Sequence, residues 1–525
     1  MDTQAAAAET LEGGDRGNGK PHVLVVAFPA QGHMLALLDL AALLATSGEL
    51  SVTVAVTDGN AALLDPLRAS CPSVGVVTLP FPSSPLLPAG CGENTKDLPF
   101  RLFLMFLPSL AALRAPLLSW CRAQHHRVTG IISDMFMGWA RPLAEELGAQ
   151  HVTFSPGSAL YVAMARHLWS RMPGRTHDDE AGDGNDVDDD ELAIVLPNVP
   201  GAPSFAWRQL PATYRLHMDG DEASEAIRQI LLWSFGAEYI VVNSFVALEP
   251  GYLEHQNLGP PLPRVLAVGP LSEAWANSGD RGGKPSVPVA KVATWLDAFD
   301  TGSVVYVNFG TQHALSPEQA ARVGEALELS SAPFVWATGT LTVLPEGLEV
   351  ATASRGMVIR GWAPQVEILR HRAVGWFLMH CGMNALLEAV SAGVAMLTWP
   401  MGADHFMNRM LLREAGVAID VAEGAEAMPD AGQMAKAIAA TVGVEGKSIR
   451  ERAVELGREA VAAVAEGGSS HRDLQELIRL LANPEDNCFH RPPMALSPAC
   501  IHLTIAAATA RSTPYLPRTS HALLL

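Results

Sequence analysis

At 525 residues the chain has room for about two to four units with cores of their own, and its 49% apolar, 6% aromatic composition is that of a globular protein rich in buried Val, Leu and Ala. A formal charge of -19 and a pI near 5.3 exclude nucleic acid and anionic membrane surfaces as main partners, because both require basic patches. An anionic ligand must then be held locally, by helix ends and individual side chains.

The six cysteines, Cys71, Cys91, Cys121, Cys381, Cys488 and Cys500, form no C-x-x-C pair. Neither a zinc site nor a disulfide framework is expected, and a reducing, cytoplasmic setting fits. Residues 1–20 are polar and Gly-rich and read as a disordered N-terminal segment with no secretory signal. The stretch nearest to a membrane span, Phe100 to Trp120, is broken by Arg101, Arg114 and two prolines, so no stable membrane insertion is expected.

In chain order, His22 to Phe28 reads as a buried strand and Gln31 to Leu44 as the helix that follows it. Ser51 to Val56, Val128 to Ser133 and His151 to Phe154 read as further strands separated by helix-period segments. This alternation predicts βαβ units and a parallel sheet, with sites at the carboxyl ends of strands, where His33, Asp134 and Ser155 fall. Residues 21–258 are taken as one lobe.

Between Arg171 and Glu191 the chain turns acidic and Gly-rich, and its Asp186-Val187-Asp188 is read as part of a charged loop rather than as a metal pair. Residues 259–290, rich in Gly, Pro and Ser, are expected to link the lobes. The strand and helix pattern then restarts over 291–482, with strands at Ser303 to Phe309, Phe334 to Ala337, Gly356 to Arg360 and Gly375 to Met379 and helices at Pro317 to Leu329, Arg450 to Ala465 and His471 to Leu481. Both final helices are expected to close this second lobe. Residues 483–525 lose the pattern and read as an irregular tail. The expected fold class is α/β, with two doubly wound parallel-sheet lobes.

The most specific stretch runs from Trp362-Ala363-Pro364-Gln365 through His380-Cys381-Gly382-Met383-Asn384, Glu388 and Trp399-Pro400 to Asp404-His405. His380 and Asn384 flank a strand-to-helix turn whose backbone N–H groups and positive dipole end suit a diphosphate. Trp362, ahead of a rigid Ala-Pro, offers a face for stacking a base, and Glu388 an acceptor for ribose hydroxyls. Taken singly, each has an ordinary alternative as a core or capping residue.

This stretch closely resembles the signature box of the plant family 1 UDP-glycosyltransferases. The resemblance continues through Phe28-Pro29-Ala30-Gln31-Gly32-His33, Glu93-Asn94-Thr95, Ser133-Asp134, Asn243-Ser244-Phe245, Leu248-Glu249 and Val268-Gly269-Pro270. It implies the GT-B fold, two Rossmann-like lobes facing across a cleft. It also implies a monomer with a UDP-sugar donor and a small aromatic, flavonoid-like acceptor, needing neither metal nor cofactor.

Position by position, the resemblance implies that Trp362 and Ala363 meet the uracil, Gln365 and Glu388 the ribose, and Thr311, His380, Gly382, Asn384 and Ala385 the diphosphate. Asp404 and His405 would meet the sugar, with weaker contacts from Ser155 and Met383. His33 matches the general base and Asp134 its partner, a pair suited to deprotonating an attacking phenol in a single displacement with inversion. Phe81, Leu86, Phe136 and Trp139 are the expected apolar walls of the acceptor pocket.

Four residues depart from the box: Met379 for Thr, Met383 for Trp, Ala385 for Ser and His405 for Gln. Met383 and His405 adjoin the sugar, so glucose, galactose, rhamnose or a pentose are all open. These departures motivate a rival reading, a sugar-nucleotide-binding protein with weak or no transferase activity. A nicotinamide oxidoreductase is disfavoured because no G-x-G-x-x-G turn follows either lobe's first strand.

Overall fold

The structure, a computed structural model, describes residues 19–84, 87–88, 90–174, 192–253, 263–274, 283–311, 313–339 and 342–483. Asp186-Val187-Asp188, the segment 1–18, Leu86 and the tail from 484 lie outside the described residues. Fifteen strands are described: β1 His22–Val26, β2 Ser51–Thr57, β3 Gly75–Leu79, β4 Val128–Asp134, β5 Gln150–Ser155, β6 Ala193–Val195, β7 Ser204–Ala206, β8 Tyr239–Val242, β9 Arg264–Ala267, β10 Val304–Asn308, β11 Phe334–Gly339, β12 Gly356–Arg360, β13 Val374–Met379, β14 Ala395–Thr398 and β15 Ala418–Asp420.

They build two parallel sheets, ordered β3-β2-β1-β4-β5-β8-β9 and β12-β11-β10-β13-β14-β15, with β6 and β7 as a separate antiparallel pair. The strand β1, His-Val-Leu-Val-Val, is buried along its whole length. Such a run suits a parallel sheet covered by helices on both faces, where no alternation of polar residues is needed.

In each sheet the chain order reverses beside its first strand, and the crevice beyond the strand ends is the site that a doubly wound sheet offers. In the first sheet Val26 of β1 is in register with Ser133 of β4. The segment after β1 and the residue ending β4 are therefore neighbours. In the second sheet Asn308 of β10 is in register with Met379 of β13, which brings Gly310-Thr311 and His380 together.

Two boundaries differ from the sequence expectation. Arg264–Ala267, expected within the linker, pairs in parallel with β8 as the seventh strand of the first sheet. The last helix, Ser469–Ala482, expected to close the second lobe, instead buries Leu477, Ile478, Leu480 and Leu481 in the first lobe's core. Asp473 on that helix accepts from Ala267 N at 2.8 Å. The chain thus crosses back and is tied to both lobes.

The stretch Leu102–Arg122 is long and apolar enough to cross a membrane by length and composition. Here it packs into the first lobe, with Phe106, Leu107, Leu110, Leu113 and Leu117 in its core.

Side chains also join the lobes directly. Glu423 of the second accepts from Gln209 Nε2 at 2.7 Å and pairs with Arg208 at 2.5 Å, both of the first, and with its own neighbour Arg409.

Candidate active site

The loop after β1 is fixed from outside by the Glu93-Asn94-Thr95 segment. Thr95 N donates to Pro29 O at 2.9 Å, Asn60 Nδ2 donates to Glu93 O at 2.9 Å, and Asn60 Oδ1 accepts from Asn94 Nδ2 at 2.8 Å. The helix Gln31–Thr46 begins there with no side-chain cap. His33 lies in its first turn, and its Nδ1 is 2.8 Å from Asp134 Oδ2.

Asp134 is fully buried, and its other oxygen accepts from Phe136 N at 2.9 Å. A carboxylate so placed fixes the tautomer with the proton on Nδ1 and leaves Nε2 to accept one. The His33 side chain is 20% exposed. Its ring is stacked on Phe136 at 5.1 Å and meets the edge of Phe28 at 5.4 Å, so its orientation is set by packing as well.

Around this pair the first lobe presents aromatic rings. Phe28, Phe103 and Phe136 lie within 6.0 Å of one another, and Phe81 stacks on Phe106 at 5.7 Å. Of the expected acceptor walls, Phe81 and Phe136 belong to this cluster. Trp139 is 1% exposed and belongs to the core, immediately before the helix Ala140–Leu147, whose inner face buries Ala140, Leu143 and Ala144. Phe103 was not foreseen; its helical apolar stretch reads as core until the fold places it.

Across the cleft, Gln365 and Glu388 form one hydrogen-bonded unit, with Gln365 Nε2 donating to Glu388 Oε2 at 2.7 Å. Gln365 Oε1 accepts from Asn308 Nδ2 at 2.8 Å and Tyr306 OH at 3.2 Å, two anchors that sequence reading missed. Ala363 is buried beside the half-buried Trp362, and Ser286 accepts from Trp362 N at 2.9 Å. Gly283 lies against the indole: a Cβ there would come within 3.1 Å of it.

The turn into the helix Met383–Ser391 is tight, with Cys381 at φ 70° and Gly382 as the residue before the helix. A Cβ on Gly382 would lie 2.5 Å from His380 Nε2, and one on Gly310 2.7 Å from the same ring, so both glycines are needed for the close approach. Burial, reinforced by His313, pushes His380 down to about 3, leaving a neutral imidazole whose Nδ1 is buried with no protein partner. Thr311 is exposed beside it and Ala385 is half-buried.

Asn384, expected at the diphosphate, donates from Nδ2 to Gly32 O of the first lobe at 2.7 Å. Its Oδ1 is buried with no partner. Asp404 Oδ2 accepts from Asn408 Nδ2 at 2.8 Å, and burial raises its carboxyl above the usual range. A Cβ on Gly157 would lie 3.5 Å from Asp404 Oδ2, so the turn after β5 meets this residue.

His405 is 5% exposed, and burial, then His380 and His313, hold it far below the ordinary imidazole range. Its Nδ1 accepts from Met401 N at 3.3 Å and Gly402 N at 3.2 Å. The proton therefore sits on Nε2, and His405 offers a donor alone where sequence reading expected one donor and one acceptor.

Ser155 and Met383, expected as weaker sugar contacts, are both buried. Ser155 is fully buried and its Oγ accepts from Gly157 N at 3.2 Å, a turn-stabilising role. Met383 is 5% exposed in the second lobe's core.

Among the described residues, the group whose ligand atoms lie close enough for a metal ion is His217, Asp219 and Glu225, at and before the helix Glu222–Phe235. None of the three is an expected site residue.

The model of the family described as UDP-glucoronosyl and UDP-glucosyl transferase matches residues 277–458. The chain is 40% identical to UDP-glycosyltransferase 89B2 of Stevia rebaudiana, over 88% of this chain and 98% of that protein. It is also 40% identical to flavonol 3-O-glucosyltransferase UGT89B1 of Arabidopsis thaliana, over 88% of this chain and 97% of that one. Among solved structures, Arabidopsis thaliana UGT89C1 complexed with UDP-L-rhamnose superposes with a TM-score of 0.70 at 31% identity, covering 89% of this chain and all of that one. The quercetin complex of the same protein superposes with a TM-score of 0.68 at 30% identity, covering 88% of this chain and all of that one.

Proposed function

Because the chain belongs to the plant UDP-glycosyltransferase family, we propose that it transfers a sugar from a UDP-sugar to a hydroxyl of a small flavonoid-like phenol, by single displacement with inversion and without a metal ion or cofactor. The observation that carries the mechanism is the 2.8 Å contact between His33 Nδ1 and the buried Asp134. The phenol's proton passes to His33 Nε2 as its oxygen bonds to the anomeric carbon. Asp134 stabilises the imidazolium that forms, and UDP departs from the opposite face.

Asp134 orients the base and is itself held by full burial and by the bond from Phe136 N, neither of which involves the ligand. The phenylalanine cluster around His33 supports a flat aromatic acceptor, whose ring lies against apolar walls while one hydroxyl reaches the imidazole. The Gln365–Glu388 unit supports ribose recognition, and the converging turns at Gly310 and Gly382 support the diphosphate.

The test uses purified protein in EDTA with quercetin and UDP-glucose, UDP-galactose, UDP-rhamnose or UDP-arabinose, following products by mass spectrometry. A conjugate is expected, and His33→Ala should abolish it while UDP binding by calorimetry stays within about threefold. Transfer by His33→Ala at the wild-type rate would remove His33 as base. UDP binding without transfer from any donor would favour the binding-only reading.

A further inference from the structure

Beyond Thr311 the chain reaches His313, a residue no motif singled out. Its ring centroid lies 5.2 Å from that of His405 and 5.8 Å from that of His380, while those two are 4.9 Å apart and edge-on. Three imidazoles from three segments thus close a triangle: one after β10, one after β13 and one opening the helix His405–Glu414. The triangle adjoins the N-termini of the helices Met383–Ser391 and His405–Glu414, where unpaired backbone N–H groups concentrate positive potential.

Burial lowers His313 to about 4 and His380 to about 3, and it holds His405 well below the ordinary imidazole range. At neutral pH all three are uncharged, and each carries one N–H donor. The Asp404 carboxylate begins the same helix as His405. His380 is on the diphosphate side of the donor site and His405 on the sugar side. His313 is in ring contact with both, so on the donor-site reading it falls between the sugar and β-phosphate sides.

Resting on the donor-site reading above, we propose that His313 is a catalytic residue of the transfer step, donating a hydrogen bond to the β-phosphate oxygen that becomes the leaving group. As the acceptor oxygen bonds to the anomeric carbon, the bond from that carbon to the phosphate oxygen breaks. Its electron pair stays on the oxygen and UDP leaves with the added charge. The acceptor's proton goes to His33; the His313 proton stays on its nitrogen. The His313 hydrogen bond therefore strengthens as charge develops, and it lowers the barrier more than it tightens ground-state binding.

The experiment compares full-length wild type, His313→Leu and His313→Gln for kcat, donor KM and UDP affinity by calorimetry. His313→Leu should lower kcat about 10- to 100-fold with UDP affinity changed less than about threefold, and His313→Gln, which keeps an N–H donor, should recover most of the loss. Wild-type kcat in His313→Leu would overturn the proposal while leaving the transferase reading intact. Equal losses in the two variants, or loss of UDP binding in step with kcat, would also overturn it by showing a packing role. A wild type that transfers from no donor would sink the transferase reading and this proposal with it.

Discussion

Asn384 Nδ2 of the second lobe donates to Gly32 O of the first at 2.7 Å, one residue before His33. The N-terminus of the helix Met383–Ser391 is thereby tied to the loop that carries the proposed base. A change at Asn384 should accordingly be felt on both sides of the cleft. Asn384→Ala removes one neutral hydrogen bond, worth about 0.5–1.5 kcal/mol, and leaves Gly32 O to water. We expect kcat/KM to fall about 3- to 10-fold for donor and acceptor alike. A loss confined to donor KM would show instead that the Asn384 amide swings to the diphosphate.

The Asp134 contact makes a sharper prediction. Asp134→Asn keeps the shape of the buried site, yet an amide can donate to His33 Nδ1 and turn the tautomer round, placing the proton on the nitrogen that has to accept one. The expected result is a loss of kcat on the order of 100- to 10,000-fold with UDP affinity unchanged. Steady-state kinetics with calorimetry would check it; a loss under tenfold would mean that packing against Phe28 and Phe136 orients the ring unaided.

How far the sequence could take the argument depended on what kind of signal each feature leaves. Short, fully buried strands such as β1 and the Gly-marked turn at Gly382 are legible because composition and backbone geometry constrain them locally. β9 was not, since four residues, Arg-Val-Leu-Ala, between Pro- and Gly-rich flanks look like a linker until β8 is there to pair with. The helix Ser469–Ala482 showed its apolar face, but which sheet it would cover is a long-range fact that no pattern encodes. Ser155 reaches the sugar in the sequence reading only through the family resemblance with a one-residue shift, and its hydroxyl accepts from Gly157 N in its own turn, a bond that no sequence pattern announces. His313 carries no periodic or motif signal; its meeting with His380 and His405 exists only once β10 and β13 are paired.

Donor choice should turn on His405. Locked with Nδ1 accepting from Met401 and Gly402, it presents only a donor, so it selects a sugar oxygen that can accept in that direction. His405→Gln would present an amide with both capacities. The relative kcat/KM for two UDP-sugars should shift by about 10-fold, or about 1.4 kcal/mol, with total UDP affinity little changed. Competition between UDP-glucose and UDP-rhamnose with mass-spectrometric readout measures this, and an unchanged ratio would detach His405 from sugar selection.

Stability should depend on pH through histidines the fold keeps neutral. His151, fully surrounded in β5 with Nε2 2.9 Å from Ser133 Oγ, is pushed down to about 3 by burial and by Arg141. A base whose folded-state pKa is depressed binds fewer protons than its unfolded form between the two values, so stability is full above the unfolded pKa near 6.5 and falls as pH drops towards 3. Within that window His151 contributes a slope of about 1.4 kcal/mol per pH unit, and His313 and His380 add to it in the same direction. His151→Gln removes one of these titrations and also disturbs the contact with Ser133. It should therefore melt below the wild type at pH 7.5, with the gap narrowing at pH 5. Scanning calorimetry of both proteins at the two pH values tests this; a gap that stays constant would mean that His151 titrates alike in the folded and unfolded chain and that burial does not govern it.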